Sequence, residues 1–496
     1  MARAAIRDVG KLISGNLLAK VFGVASLMFF TRILSKQEVA IFPVYLMLIG
    51  IASLFFSFGI YQTFLRRLPS LIREDITTAR SLVMTGTAII MVGIVTVLIV
   101  SLAFSERIAV FAFRDEKLSW AVRVMSAGFV AYAVARVADN IMWGRGQFAA
   151  MSALQIADSI VRPAATVTSF LLFGFPGIVY GLVVAQIINA GLLFYCVADL
   201  FFGRLPPLYP VKKLMSESLP FYIDGYLWYL KGEGDSLLVT VLLGPAILAE
   251  YYVAKTLYTN AMLVLTSLDR VALERLARHA GLTDVFRAKA REMQVHIAET
   301  MIPLSLWAIA VAGYGMVVLA GSRYRDATWP AVGLLVVALV QFLFVTVDRA
   351  VFVSLSGAYR LAKTAVEAAA VLIAAVYFVR EWGLMGVVEA RVLGPLAAGL
   401  FGIALLRRKL GLSLPFEPAL RATVAALPGT LLVFLFAPKM QGTVSALLAG
   451  IVSSAVWAFS FTVFSFAMDR TFFYRILNGI RESLAHEKLE AGGVAG

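Results

Sequence analysis

Lys231, Glu233 and Asp235 fall within five residues, spaced by Gly232 and Gly234, in the otherwise apolar stretch YLWYLKGEGDSLLVTV (226–241). Charges set in a hydrophobic run can hold a counter-charge, pass a proton or grip an ion, so intramembrane ionisable residues are functional candidates by default. Other apolar runs carry Lys20, Asp139, Asp158 with Arg162, and Lys255 near their centres or cytoplasmic edges. Asp158 and Arg162 are four apart with the acid first, the better order for a pair on one helical face. Lys231 and Asp235 are also four apart. Each pair can neutralise itself and fix packing, or open to a ligand. Lys20 differs, because no acid lies three or four residues away on its own helix, and its charge asks for a partner elsewhere.

Lys20, Arg162, Lys231 and Lys255 can therefore present cations to one cavity, with Tyr226 and Tyr229 supplying amphipathic rings suited to sugar faces and equally to packing. Asp158, Glu233, Asp235 and Asp139 are candidates for ion coupling or for charge pairing. Gly232 and Gly234 loosen the helix that carries the central charges, and a helical bundle can satisfy such a bend.

The elements that position these residues follow from composition. Of 496 residues 60% are hydrophobic and 15% charged, against about 25% charged in soluble domains, and the mean hydropathy is +0.86. Repeated apolar runs of about 20 residues make this an all-α polytopic membrane protein rather than a barrel of short alternating strands. Fourteen spans are expected, the first over 9–33, a charged seventh over 219–243, a short eleventh over 363–380, a twelfth over 383–406 and the last over 442–467. The basic amino terminus runs into an uncleaved first helix, with no small-residue cleavage site.

Lys and Arg fix the orientation. The side holding the amino terminus carries 27 of them, the opposite side 9, and eight lie inside spans. Both termini are thus expected in the cytoplasm, and the net charge of +14 reads as topology and attraction to anionic lipid, not nucleic-acid binding. The basic, amphipathic segment 270–293 is expected to be a cytoplasmic helix.

A shift of 209 residues superposes spans one to six on spans seven to twelve. It lays Arg114 on Arg323, Trp120 on Trp329, Asp139 on Asp348, Asp158 on Glu367 and GFPGIV (174–179) on GLMGVV (383–388). Two six-helix bundles in parallel pseudo-repeat plus two further helices are expected: 1–205, 206–410, 411–470, and a cytoplasmic tail over 471–496.

Several chemistries lack their residues. No GxxxxGK[ST] phosphate loop is present. The single cysteine, Cys196, excludes a disulfide framework, and His279, His296 and His486 make no metal cluster. No loop on the outer side is long enough for a catalytic domain, so neither an enzyme nor a cofactor is expected.

The first span and its exit, GNLLAKVFGVASLMFFTRIL, resemble the opening helix of the oligosaccharide flippase branch of the multidrug/oligosaccharidyl-lipid/polysaccharide exporter superfamily. The seventh span is similar too, with Leu219–Pro220 at its start, Asp235 about fifteen residues on, then Leu243–Pro245 and Tyr252–Ala254; so is GLMGVVEARVLG (383–394). One departure is SKQEVAIF after Arg32, where the family often has a Gly-Pro turn. The resemblance implies two bundles around a V-shaped cavity, alternating access, and passage of a polyprenyl-diphosphate-linked oligosaccharide to the outer leaflet of the cytoplasmic membrane. Cavity cations would hold the diphosphate, H+ or Na+ would be the coupling ion, and partners would be membrane lipids and polysaccharide-assembly proteins. The competing readings are a cation-coupled exporter of drugs or small amphiphiles with the same fold, which favours an acidic cavity, and a non-transporting scaffold with self-paired charges.

Overall fold

The computed structural model describes residues 21–202, 206–277, 283–355, 357–436 and 442–468, which are helical without strands. Two compact units divide the chain, Met1–Tyr252 and Val253–Gly496. The first holds α1 (Val21–Ile33), α2 (Lys36–Val39), α3 (Ile41–Ser57), α4 (Ile60–Glu74), α5 (Ile76–Ala103), α6 (Ser105–Phe113), α7 (Ser119–Arg145), α8 (Phe148–Phe173), α9 (Phe175–Tyr195), α10 (Val211–Gly232) and α11 (Gly234–Leu242). Helix α12 (Pro245–Ala277) leads into the second, with α13 (Thr283–Ala320), α14 (Thr328–Ser354), α15 (Gly357–Leu410), α16 (Glu417–Leu435) and α17 (Thr443–Met468).

Ten helical stretches among the described residues are long and apolar enough to cross a membrane, against fourteen expected spans. The four differences have local causes. The first span is described only from Val21. The seventh breaks at Glu233 into α10 and α11. The eighth, α12, is diluted by Glu250, Lys255 and a series of Tyr, Thr and Asn residues. The eleventh and twelfth run together as α15, turned at Gly383 by a non-helical φ of 54° and ψ of −126°. The helix expected over 270–293 is shared out differently: its first part continues α12 to Ala277 and its last part opens α13 at Thr283.

Within the first unit α7 is central, packed on α4, α5 and α9, and α8 lies along α9. Its buried face includes Ala121, Gly128, Ala131, Ala135 and Ala138. Lipid supplies no hydrophobic drive between helices, so small residues that let backbones approach are what such a helix needs. In the second unit α13 packs on α14, α16 and α17. Ala419, Ala422, Ala425 and Ala426, at helical spacing on α16, close onto that core, and the indole of Trp457 donates to Thr430 Oγ1 at 3.0 Å.

The 209-residue shift reappears in the backbone. Helices α7 and α14 are both 27 residues long, with both ends displaced by that shift. Gly174 (φ 64°, ψ −145°) precedes α9 as Gly383 (φ 54°, ψ −126°) precedes the second half of α15. Three residues on, a Cβ at Gly177 would lie 1.9 Å from the Ser169 carbonyl oxygen, and one at Gly386 2.1 Å from that of Phe378. The same corner is thus built twice, at equivalent positions, and only glycine fits its first residue.

A second break seats α10. Phe58 (φ 45°) and Gly59 (φ 73°) both take left-handed conformations between α3 and α4. A Cβ on Gly59 would lie 2.3 Å from the Ser218 carbonyl oxygen and 2.7 Å from Tyr222 N, so the α10 backbone crosses directly over that glycine.

Candidate functional site

In the first unit the polar centre is built on α8. Arg162 donates from Nε to Asp158 Oδ2 at 3.2 Å and from Nη2 to Oδ1 and Oδ2 at 3.1 Å each. Nη2 also reaches Gln186 Oε1 of α9 at 3.3 Å. The pair retains 32% and 24% side-chain exposure, so it is neither sealed nor open. Pro163 lacks the amide that would bond the Ser159 carbonyl one turn back, which softens the helix beside the arginine. The self-neutralised arrangement allowed by the four-residue spacing is the one adopted, with a glutamine added from the neighbouring helix.

The charged stretch that breaks the seventh span is organised differently. Glu233 ends α10 and opens α11 with φ −116° and ψ −12°, and its amide donates to the Tyr229 carbonyl at 2.8 Å. The break falls between Lys231 and Asp235, so they do not share one uninterrupted helical face, and their four-residue spacing loses its simple meaning. Asp235 sits in the first turn of α11 at 1% exposure. Its Oδ1 accepts from Ser236 N at 2.6 Å and Ser236 Oγ at 3.2 Å, and its Oδ2 from the Tyr251 hydroxyl at 2.5 Å. A buried carboxylate demands such donors, because an unsatisfied one is expensive. The tyrosine ties α11 to the start of α12.

The aromatic candidates divide. Tyr229 is buried at 5% exposure, with its ring edge against Gly50 of α3. Tyr226 shares a 2.8 Å hydroxyl contact with Tyr222, ring against ring at 5.0 Å. Asp139 receives Arg136 Nη1 at 3.1 Å on α7, and that guanidinium lies 5.9 Å from the Tyr61 ring. Lys20 lies outside the described residues, and of Lys231 only the backbone, within α10, is described.

In the second unit Lys255 is 8% exposed on α12. Three residues on, Tyr258 donates to Gln341 Oε1 of α14 at 2.9 Å, and Arg391 of α15 lies 5.1 Å over its ring. Arg391 is 6% exposed, against 1% for Asp235 and 8% for Lys255, yet its place within the twelfth expected span, 383–406, gave it no partner. Lys363 pairs with Asp348 at 2.7 Å, and Glu367 is buried against Gly394. Sequence reasoning followed charges and passed over Gln186, Gln341 and Tyr251. Glutamines inside apolar runs were the available signal, since an amide in a span needs a partner as much as a charge does.

No curated protein sequence matches the chain. Among solved structures, the lipid II flippase MurJ in an inward closed conformation superposes with a TM-score of 0.69 at 12% identity, over 90% of this chain and 97% of that one. An inward-facing multidrug resistance transporter of the MATE family, in the MOP superfamily, gives 0.66 at 15% identity, over 79% and 94%. Its outward-facing counterpart gives 0.60 at 15% identity, over 82% and 94%. These likenesses establish the fold, that of the flippases and exporters the opening and seventh spans resemble. The sequence profile of the polysaccharide biosynthesis proteins matches residues 5–273, more than half of the chain, and the protein belongs to that family.

Proposed function

We propose that this protein flips a polyprenyl-diphosphate-linked oligosaccharide across the cytoplasmic membrane by alternating access, in the assembly of surface polysaccharide. The observation that carries this reading is Arg162, a part-exposed guanidinium in mid-span held ready by Asp158 and Gln186. A diphosphate offers it a stronger counter-charge than one carboxylate, and guanidinium matches phosphate geometry. Lys20, Lys231 and Lys255 would supply the remaining cations, and Tyr226 and Tyr229 ring surfaces beside them. Asp158, Glu233, Asp235 and Asp139 would exchange H+ or Na+ as the cations are released. Both termini would be cytoplasmic, the orientation that the 27-to-9 asymmetry of basic residues favours. Membrane lipids and polysaccharide-assembly proteins are the expected partners.

The test is flipping of a fluorescent polyprenyl-diphosphate oligosaccharide in proteoliposomes with matched protein levels. Lys20→Ala, Arg162→Ala and Lys231→Ala should insert normally and lose flipping, while Lys20→Arg keeps part of it. Wild-type rates in all three alanine variants would remove the diphosphate from these residues. The competing reading, export of cationic drugs or amphiphiles, shares the fold of the multidrug transporters. It predicts drug efflux from wild-type proteoliposomes that survives the three alanine variants and fails in Asp158→Asn or Asp235→Asn.

A further inference from the structure

Helix α6 ends at Phe113 and hands over to Arg114, which takes a left-handed conformation (φ 55°) that side-chain-bearing residues seldom occupy. That turn carries the guanidinium to the α11–α12 corner. There Nη2 donates to the Val241 carbonyl at 3.3 Å, and the planar group lies on Gly244, where a Cβ would stand 3.1 Å from its carbon. The next residue, Asp115, accepts from Lys117 N at 2.9 Å through Oδ1. Nearby, Lys36 pairs with Glu250 at 2.6 Å and joins the start of α12 to α2. Between these corners lies a cleft of about 430 Å³, walled by Phe113, Leu243 and Pro245 and presenting Gln37, Arg114 and Asp115.

That volume falls within the range of small-molecule sites, about 300–1,000 Å³, where apolar walls and a few polar groups fix a ligand's orientation. The polar set is one amide, one guanidinium and one carboxylate, so its charge sums to zero. A diphosphate would meet Asp115 and be repelled. A neutral hydroxylated ring suits it better: the carboxylate and amide oxygens accept from hydroxyls, the guanidinium and amide N–H groups donate to them, and the apolar walls cover the C–H faces. We propose that this cleft is a sugar subsite that binds a neutral pyranose. The proposal rests on the flippase reading and deepens it, since it assigns the neutral part of the glycan to a set of residues distinct from the cationic centre on α8. Helices α5 and α6 run in sequence from Ile76 to Phe113, so the cleft lies past the far end of that pair from the basic segment at Arg66–Arg80. By the expected topology that is the outer side.

The experiment uses the full chain in nanodiscs and saturation-transfer NMR with methyl β-glucopyranoside, methyl β-galactopyranoside, N-acetylglucosamine and maltose, with inorganic pyrophosphate as competitor. At least one sugar should give a saturable signal that pyrophosphate does not displace. The double variant Gln37→Ala, Asp115→Asn should weaken it about tenfold, the loss expected of one or two hydrogen bonds. Ala246→Trp, which fills the cleft, should abolish it, with melting temperatures of both variants matching wild type. No signal from any of the four sugars, a signal indifferent to both variants, or displacement by pyrophosphate would each overturn the subsite. Flipping measured on the same preparations separates the two claims. Wild type that flips without binding these sugars loses the subsite alone, and wild type that binds them without flipping loses the transport reading.

Discussion

Arg67 and Glu217 meet in a two-toothed ion pair, Nη2 to Oε1 at 2.6 Å and Nε to Oε2 at 3.0 Å, that fastens α4 to α10 across 150 residues of sequence. One turn toward α4's start, Thr63 shares a buried hydroxyl contact at 2.7 Å with Ser218, the residue after Glu217. Parallel guanidinium–carboxylate bonds are the geometry in which a partly exposed pair contributes measurably. The side chains keep 44% and 22% exposure, which limits the gain. A double-mutant cycle on Arg67→Ala and Glu217→Ala, read from thermal unfolding in detergent, should give a coupling of about 0.5–1 kcal/mol. The charge swap Arg67→Glu with Glu217→Arg should recover most of what Glu217→Arg alone loses. A coupling of zero would mean that α10 is held here by the hydroxyl pair and backbone contact alone.

That backbone contact makes the second prediction. Gly59 has φ 73°, and a Cβ there would meet the Ser218 carbonyl oxygen at 2.3 Å. Neither atom is the end of a flexible side chain, so α10 itself would have to move. Gly59→Ala should cost about 1–3 kcal/mol from overpacking, with about 1–2 more from the left-handed backbone. Gly225, on α10, has open space where its Cβ would go, and Gly225→Ala should unfold at or above the wild-type temperature. Equal melting points for the two variants would show that α10 does not ride on Gly59 in the folded protein.

The class of fold and its repeat were legible because they rest on length, hydropathy and rare residues. Apolar runs announce helices, and Asp139, Asp158, Trp120 and GFPGIV are too unusual in such a chain to align by hydrophobicity alone. Gly232 and Gly234 likewise announced the break at Glu233. The partners of the charges were not legible. Arg162 finding Gln186, Asp235 finding Tyr251 and Arg391 finding Tyr258 are contacts between helices far apart in sequence or turned to faces that periodicity does not define in an apolar run. Where every side of a helix is hydrophobic, the pattern no longer says which side faces inward. The left-handed pair Phe58–Gly59 was hidden for a related reason, since a single glycine in a span is ordinary until another backbone is found lying on it.

The repeat itself can be tested through its corners. Gly177 and Gly386 stand at equivalent positions, each with a carbonyl oxygen within about 2 Å of where a Cβ would be. Gly177→Ala and Gly386→Ala should therefore destabilise their own units by similar amounts, about 1–3 kcal/mol each by the overpacking range. Sites this far apart in the chain, with no shared partners, should add within about 0.5 kcal/mol in the double variant. Gly191→Ala, with nothing within 4 Å, is the control. A loss confined to one of the pair would show that the corners carry different loads despite the same backbone path.

Asp158 and Arg162 allow stability and transport to be told apart. Breaking a buried pair on one side leaves a charge without its partner, at a cost of about 3–5 kcal/mol when burial is complete. With about a quarter to a third of each side chain exposed, the cost here should be smaller, about 1–2 kcal/mol. Asp158→Asn should therefore lower the melting temperature, with Gln186 Oε1 left as an acceptor for Arg162 Nη2. Arg162→Gln should lower it comparably by stranding Asp158. The double variant, Asp158→Asn with Arg162→Gln, places two neutral amides where the pair stood and should regain most of the stability. If the arginine serves only packing, flipping returns with it. If the arginine grips the diphosphate, the double variant is stable and inactive. Asp158→Asn alone should then bind substrate more tightly and turn over more slowly, because the carboxylate that competes for the guanidinium has gone. Substrate affinity and turnover, each set against melting temperature in the three variants, decide between these outcomes.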